Sequence, residues 1–179
     1  RRMSGVVAQL GEYSREPNMI REVPVDLNEA ARAVLELLGP VFKRQRVELD
    51  VDLAPDLPPV MSDSGHMRSL VQNLVTNARD ALMESPPPEG ERVTVRTWQE
   101  DAWIKLSVAD NGPGMPEEVI HQAFDPFFTT KEVGKGTGLG LYVVHRIVDQ
   151  YNGTISIHSN PAQGTRIEVQ FPVPAREDG

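Results

Sequence analysis

Asp110-Asn111-Gly112-Pro113-Gly114 opens, and Gly136-Thr137-Gly138-Leu139-Gly140-Leu141 closes, the stretch whose reading decides this chain. Between them runs Phe124-Asp125-Pro126-Phe127-Phe128-Thr129-Thr130-Lys131, and one more glycine, Gly134, precedes the closing run. Glycine lets backbone approach a ligand closely and take positive φ at little steric cost. Leu141, Val144, Ile147, Val148 and Tyr151 then recur at three- and four-residue spacing, which predicts a helix. Successive N–H groups at a helix start make an anion site. The closing glycines therefore read as a phosphate-binding loop that feeds a helix. Two better-known glycine loops do not fit. A Walker loop needs Ser or Thr after Gly-Lys, and Gly134-Lys135 is followed by Gly136. The dinucleotide fingerprint needs a glycine three residues after G-x-G, and those positions hold Leu139, Leu141 and Val143.

Outward from this stretch, strands and helices alternate. Val93, Val95 and Thr97, a turn at Asp101-Ala102, then Ile104, Leu106 and Val108 predict an antiparallel hairpin that delivers Asp110 at its end. Pro116-Glu117-Glu118 opens a short helix. After the stop at Asn152-Gly153, Ile155 and Ile157 and then Ile167, Val169 and Phe171 predict a second hairpin. Upstream, Glu22–Asp26 is a short strand candidate, and Asp26 or Asn28 caps a helix from about Leu27 to Lys43, with Gly39-Pro40 arguing for a bend or an early stop. Val47, Leu49, Val51 and Leu53 alternate with acids as a half-buried strand, and Pro55, Pro58 and Pro59 make a stiff connector. A helix from Ser64 to Met83 buries Met67, Leu70, Val71, Leu74, Ala78, Ala81 and Leu82. Asn73 and Asn77, four apart, share one face beside that stripe, with Asp80 a step further. Asparagine is a mediocre helix former, so two in register point to a polar edge aimed into a cleft, with amide oxygens for a hard cation. The expected fold class is α+β: a two-layer α/β sandwich with a mixed, mostly antiparallel sheet of about five strands packed on three helices.

Totals narrow the function. With 179 residues, a formal charge of -8 and a pI near 5.0, the chain has no broad basic field for nucleic acid or anionic membrane. Any anionic ligand is held locally. There is no cysteine, which removes disulfides, thiolate zinc sites and cysteine nucleophiles and fits a reducing, cytoplasmic setting. Residues 1 to about 15 carry a Met3, Val6, Val7 and Leu10 stripe, read as the end of a helix, and Glu16-Pro17-Asn18 marks the best domain boundary. The expected division is 1–16 as a helix end and 17–179 as one domain.

Four features stand in order: Asn73-Leu74-Val75-Thr76-Asn77-Ala78, the turn at Asp110–Met115, the phenylalanine loop at Phe124–Lys131, and Gly136–Leu141. Together they resemble the N, G1, F and G2 boxes of the catalytic, ATP-binding domain of bacterial sensor histidine kinases, of the nitrogen-regulation, short-lid type. Gly164-Thr165 resembles the weaker G3 position. The resemblance covers roughly residues 24 to 173 and implies the Bergerat fold.

The resemblance implies roles for ATP and Mg²⁺. Asp110 would accept from the adenine amino group, an acceptor-only carboxylate facing an N–H₂. Thr165 would support adenine, while Gly112 and Gly114 let backbone pass close to the nucleotide. Asn77 would give an amide oxygen to Mg²⁺, with Asn73 beside it. Gly136, Thr137, Gly138, Leu139, Gly140 and Leu141 would meet the phosphates, and Lys131 would neutralise phosphate charge from the lid. Phe124, Phe127 and Phe128 read as a hydrophobic latch for that lid. Hydrolases of the superfamily have glutamate where Asn73 stands. An amide is no general base, which favours transfer of the γ-phosphoryl over hydrolysis. The acceptor would be a histidine on an upstream domain that dimerises the full-length protein, and a response-regulator receiver domain would be the next partner. His66, His121, His145 and His158 lack the acidic residue that follows such an acceptor. This chain is expected in the cytoplasm, with the full-length protein anchored in a membrane or not. A serine kinase of the anti-sigma type and a non-catalytic nucleotide-binding module remain as alternatives.

Overall fold

The computed structural model describes residues 22–131 and 136–175; the predicted helix end at 1–16 and Gly134 lie outside the described residues. Within them the order is β1 (Val23–Val25), α1 (Leu27–Gln45), β2 (Glu48–Leu53), β3 (Val60–Ser62), α2 (Ser64–Glu84), β4 (Arg92–Glu100) and β5 (Trp103–Asp110), then α3 (Glu117–Gln122), α4 (Gly140–Gln150), β6 (Thr154–Ser159) and β7 (Thr165–Pro172). Five strands form one sheet in the order β2-β4-β5-β7-β6. Only β2–β4 is parallel, so the sheet is mixed and mostly antiparallel as expected. The β4–β5 hairpin turns on Asp101-Ala102, with Asp101 at φ 51°.

The alternation read along each strand decides which face is buried. Val93, Val95, Ile104, Leu106, Val108, Val169 and Phe171 are inaccessible or nearly so, and α2 and α4 cover them. α2 lies between α1 and α4, and its Met67, Leu70, Val71 and Leu74 are fully buried. Burying a side chain of this size stabilises by about 1.5–3 kcal/mol. The opposite sheet face is polar: Lys105 pairs with Glu100 and Glu168 and lies over the Trp98 ring.

Two expectations are corrected. Gly39-Pro40 does not end α1, which runs to Gln45 and stops where Arg46 takes left-handed φ and its N–H reaches Lys43 O and Phe42 O. Phe42, 1% exposed, anchors the last turn and offsets the bond lost at Pro40. The proline-rich connector also contains a strand, β3, which pairs antiparallel with β1 as a separate two-stranded ribbon. Its three residues are too few for periodicity to show. The four helices among the described residues are the three expected to pack on the sheet and α3, the predicted short helix.

Side-chain caps set the starts of the two long helices. Asp26 accepts from Asn28 N and Glu29 N, and Asp63 from Gly65 N and His66 N; each cap contributes about 1 kcal/mol. A buried polar clamp ties α1 to the sheet: Asn28 Nδ2 donates to Ala54 O (2.7 Å) and accepts at Oδ1 from the Thr97 hydroxyl (2.6 Å). Thr97→Val keeps the shape but strands Asn28 Oδ1, so it should destabilise the fold by about 1–3 kcal/mol. In urea unfolding the midpoint should fall at unchanged slope; an unchanged midpoint would show that the clamp contributes nothing.

Candidate functional site

A cavity of about 340 Å³ opens between α2, the end of β5, the 113–131 segment and the start of α4. That is within the range of small-molecule sites, about 300–1,000 Å³. Its walls come from parts of the chain far apart in sequence, and each is positioned by a different local device.

The first wall is the Asp110 turn. β5 and β7 pair until Asp110 stands opposite Thr165. Two glycines let the loops beyond that pair interlock. Gly114 (φ 69°) carries no Cβ that would overlap Asn160 O, and Gly164 (φ 80°) none that would overlap Asp110 O. Ala162 N donates to Pro113 O at 2.7 Å across the same junction. Ser159 is its hub: the hydroxyl accepts from Met115 N (2.7 Å), donates to Gly164 O (3.0 Å) and lies 2.9 Å from the Thr165 hydroxyl. Asp110 thus sits half-buried at the cavity wall, its Oδ1 accepting from Gly112 N at 2.9 Å. Burial pushes its carboxyl up to about 6 from an ordinary 3.8, against the lowering effect of the Gly112 and Thr165 backbone N–H groups.

The second wall is the polar edge of α2. Asn73 Nδ2 donates back to Ser69 O at 2.8 Å, which turns Oδ1 toward α4. Asn77, half-buried, has no side-chain hydrogen bond among the described residues. Gly140 faces both: a Cβ there would lie 3.2 Å from Asn73 Oδ1, and 3.3 and 3.4 Å from Asn77 Nδ2 and Oδ1. A side chain at 140 would crowd both amides.

The third wall is the start of α4. α1 and α2 are capped by aspartates, but α4 has no side-chain cap. Gly140 and Leu141, in its first turn, line the cavity. Their N–H groups are orphaned in the helix and carry the positive end of its dipole. Gly138 (φ 65°) packs against the backbone of Phe127, whose N–H donates to Gly138 O at 2.9 Å. The Thr137 hydroxyl accepts from Leu139 N at 3.3 Å.

Most predicted site residues meet here. Asn73, Asn77, Asp110, Gly114, Lys131, Gly136, Thr137, Gly138, Gly140, Leu141 and Thr165 line the cavity. Gly112 and Leu139 do not. Gly112 stands behind the wall against Leu82, and Leu139 is buried, 3% exposed. The phenylalanine latch is only partly so. Phe124 packs on His145 with ring centroids 5.2 Å apart, and Phe128 lines the cavity. Phe127 is 66% exposed at φ 67°, so its backbone, rather than its ring, holds the Gly138 loop. Two contributors were missed. Ser159 gave only the signal of a serine before a turn. Asp80 pairs with Lys131, and its place on the asparagine face was the available clue. The histidines are engaged locally, His66 with the Tyr151 hydroxyl at 2.6 Å and His145 with Asp149 at 3.3 Å.

A family model described as histidine kinase-, DNA gyrase B- and HSP90-like ATPases matches residues 62–175, from the end of β3 past β7. The chain belongs to this family. Its members by that description are ATPases, and the match spans every wall of the cavity. Among curated relatives, the sensor kinase CckA of Brucella abortus is 36% identical over 96% of this chain, and the two-component sensor PprA of Pseudomonas aeruginosa 33% identical over 97%. The chain spans 19% of the length of each. Among solved structures, the mycobacterial sensor histidine kinase MprB is 31% identical, with a TM-score of 0.69, over 84% of this chain and 97% of that one. No helix among the described residues is long and apolar enough to cross a membrane.

The raised Asp110 carboxyl has a sign. A carboxyl whose folded pKa exceeds its unfolded one contributes stability that is complete below pH 3.8 and lost as pH rises through about 6. Asp110→Asn should therefore flatten the dependence of stability on pH between those values and raise the unfolding temperature at pH 7. An unaltered pH profile would contradict a buried, ionising Asp110.

Proposed function

We propose that this ATPase-family domain is the catalytic module of a two-component sensor histidine kinase. It binds Mg²⁺-ATP and delivers the γ-phosphoryl to a histidine on an upstream dimerisation domain, from which a response-regulator receiver takes it. The carrying observation is that an acceptor carboxylate, a helix N-terminus without a side-chain cap and an amide with no hydrogen-bond partner among the described residues line one cavity.

The residues present fit adenine nucleotide and a hard divalent ion. Asp110 accepts from the adenine amino group, and its neighbour Thr165, held by Ser159, supports the same end. The N–H groups around Gly136, Gly138, Gly140 and Leu141 take phosphate oxygens. Gly112 and Leu139 act from behind, as packing that keeps the turn and the helix start in place. Asn77 Oδ1, with Asn73 Oδ1 beside it, is a neutral oxygen donor suited to Mg²⁺, which prefers few protein ligands plus phosphate oxygens and water. That ion would supply charge neutralisation on the phosphates. Lys131, at the rim, adds a cation to the same end.

Asn73 separates transfer from hydrolysis. Its amide nitrogen donates to Ser69 O and Ser69 Oγ, and its oxygen has no basicity at neutral pH. The domain therefore positions and screens the triphosphate but does not activate water, which leaves an incoming histidine as nucleophile. The names of the relatives support the sensor reading, and the term two-component for PprA supports the receiver partner.

The test supplies a histidine-bearing helical hairpin in trans with Mg²⁺ and ATP labelled at the γ-phosphate. The parent chain should label the hairpin, and Asn77→Ala should lower the rate about a hundredfold or more. No transfer by the parent would overturn the kinase reading; full transfer by Asn77→Ala would overturn the metal assignment alone.

A further inference from the structure

At the rim of the cavity the 113–131 segment meets α2 through an ion pair that the nucleotide reading leaves unused. Lys131 Nζ donates to Asp80 Oδ2 at 2.7 Å. Arg79 donates to the other oxygen, Oδ1, from Nη2 at 2.5 Å and Nε at 3.1 Å. Both carboxylate oxygens are thereby engaged, and the three groups together carry one net positive charge. The Lys131 and Asp80 side chains are 19% and 29% exposed, so the pair is partly withdrawn from solvent screening. Asp80 and Lys131 both line the cavity.

We propose that Asp80 is a positioning residue for Lys131, holding its ammonium at the phosphate end of the cavity before the ligand arrives. The proposal rests on the nucleotide reading above. A lysine on a loop has large rotamer freedom, and a ligand that has to order it binds more weakly. Asp80 pre-orders it. The ammonium has three N–H donors and gives one to Asp80, which leaves two for phosphate oxygens. Arg79, clamped on Oδ1, keeps the carboxylate turned so that Oδ2 meets the lid. His66, His121, His145 and His158 lie against Tyr151, Glu117, Asp149 and Ser156, away from this ion pair.

A purely electrostatic role for Asp80 predicts the opposite effect. Its negative charge would repel triphosphate, so Asp80→Asn would tighten binding. Positioning predicts weakening that depends on Lys131. The experiment titrates the whole chain with adenosine and with ATP plus Mg²⁺, in the parent, Asp80→Asn, Asp80→Glu, Lys131→Ala and the Asp80→Asn/Lys131→Ala double variant. Asp80→Asn should weaken Mg²⁺-ATP about fivefold, and Asp80→Glu should restore affinity to within about twofold. Asp80→Asn should change nothing further once Lys131 is alanine. Adenosine, which has no phosphate, should bind all five alike, and this also reports an intact fold. Equal or tighter Mg²⁺-ATP binding by Asp80→Asn, or an undiminished effect without Lys131, overturns the proposal alone. A parent chain that binds neither adenosine nor Mg²⁺-ATP overturns the nucleotide reading and this proposal with it.

Discussion

The site depends on the antiparallel pairing of β5 with β7 and on where that pairing ends. Asp110 and Thr165 are its last pair, and beyond them two loops cross at backbone contact. Gly114 and Gly164 make the crossing sterically possible, and Ser159 binds the loops together through three polar contacts. A carboxylate at a free strand end would be hydrated and ordinary. Here it is half-buried at the crossing, the burial raises its pKa against the backbone N–H groups that lower it, and it still lines the cavity. The remainder of the fold brings α2 and α4 to that edge. Their mutual packing brings Gly140 opposite both asparagines, and the asparagines and the first turn of α4 line one cavity.

Much of this was legible because periodicity reports burial. The strict alternation in Val93–Thr97 and Ile104–Val108 gave the hairpin, and the stripe from Met67 to Leu82 gave α2, because each buries one continuous face. Asn73 and Asn77 stood out because polar residues four apart beside an apolar stripe cost helix propensity. The turn at Asp110–Gly114 was legible from turn chemistry, while the pairing of Asp110 with Thr165 was not. β3 was not: three residues after Pro58-Pro59 carry no period, and only their pairing with β1 reveals them. The continuation of α1 through Pro40 was hidden too, since local propensity says stop while the burial of Phe42 decides otherwise.

Contacts between distant segments were the other blind spot. Sequence spacing shows that Asp80 shares a face with Asn77, but not that Lys131 comes to rest on it. The phenylalanine loop is instructive in the same way. Three phenylalanines in five residues read as one hydrophobic device. The structure divides them: Phe124 onto α4, Phe128 to the cavity, and Phe127 outward on a left-handed backbone that Gly138 accommodates. The departure of Asn73 from the hydrolase glutamate and its consequence for a general base are legible in sequence, but the orientation of the amide is not. Only the bond to Ser69 O shows which end of the amide faces α4.

The central claim is that Asp110 reads the amino group of adenine in this cavity. The most direct measurement compares the affinity of the chain for ATP and for inosine triphosphate in the presence of Mg²⁺. The two ligands share ribose and phosphates, and inosine carries an oxygen where adenine carries the amino group. A buried acceptor left facing another acceptor should lower affinity about tenfold or more, so ATP should bind at least that much more tightly. Equal affinity for the two would contradict the assignment of Asp110 and, with it, the orientation of the nucleotide proposed here.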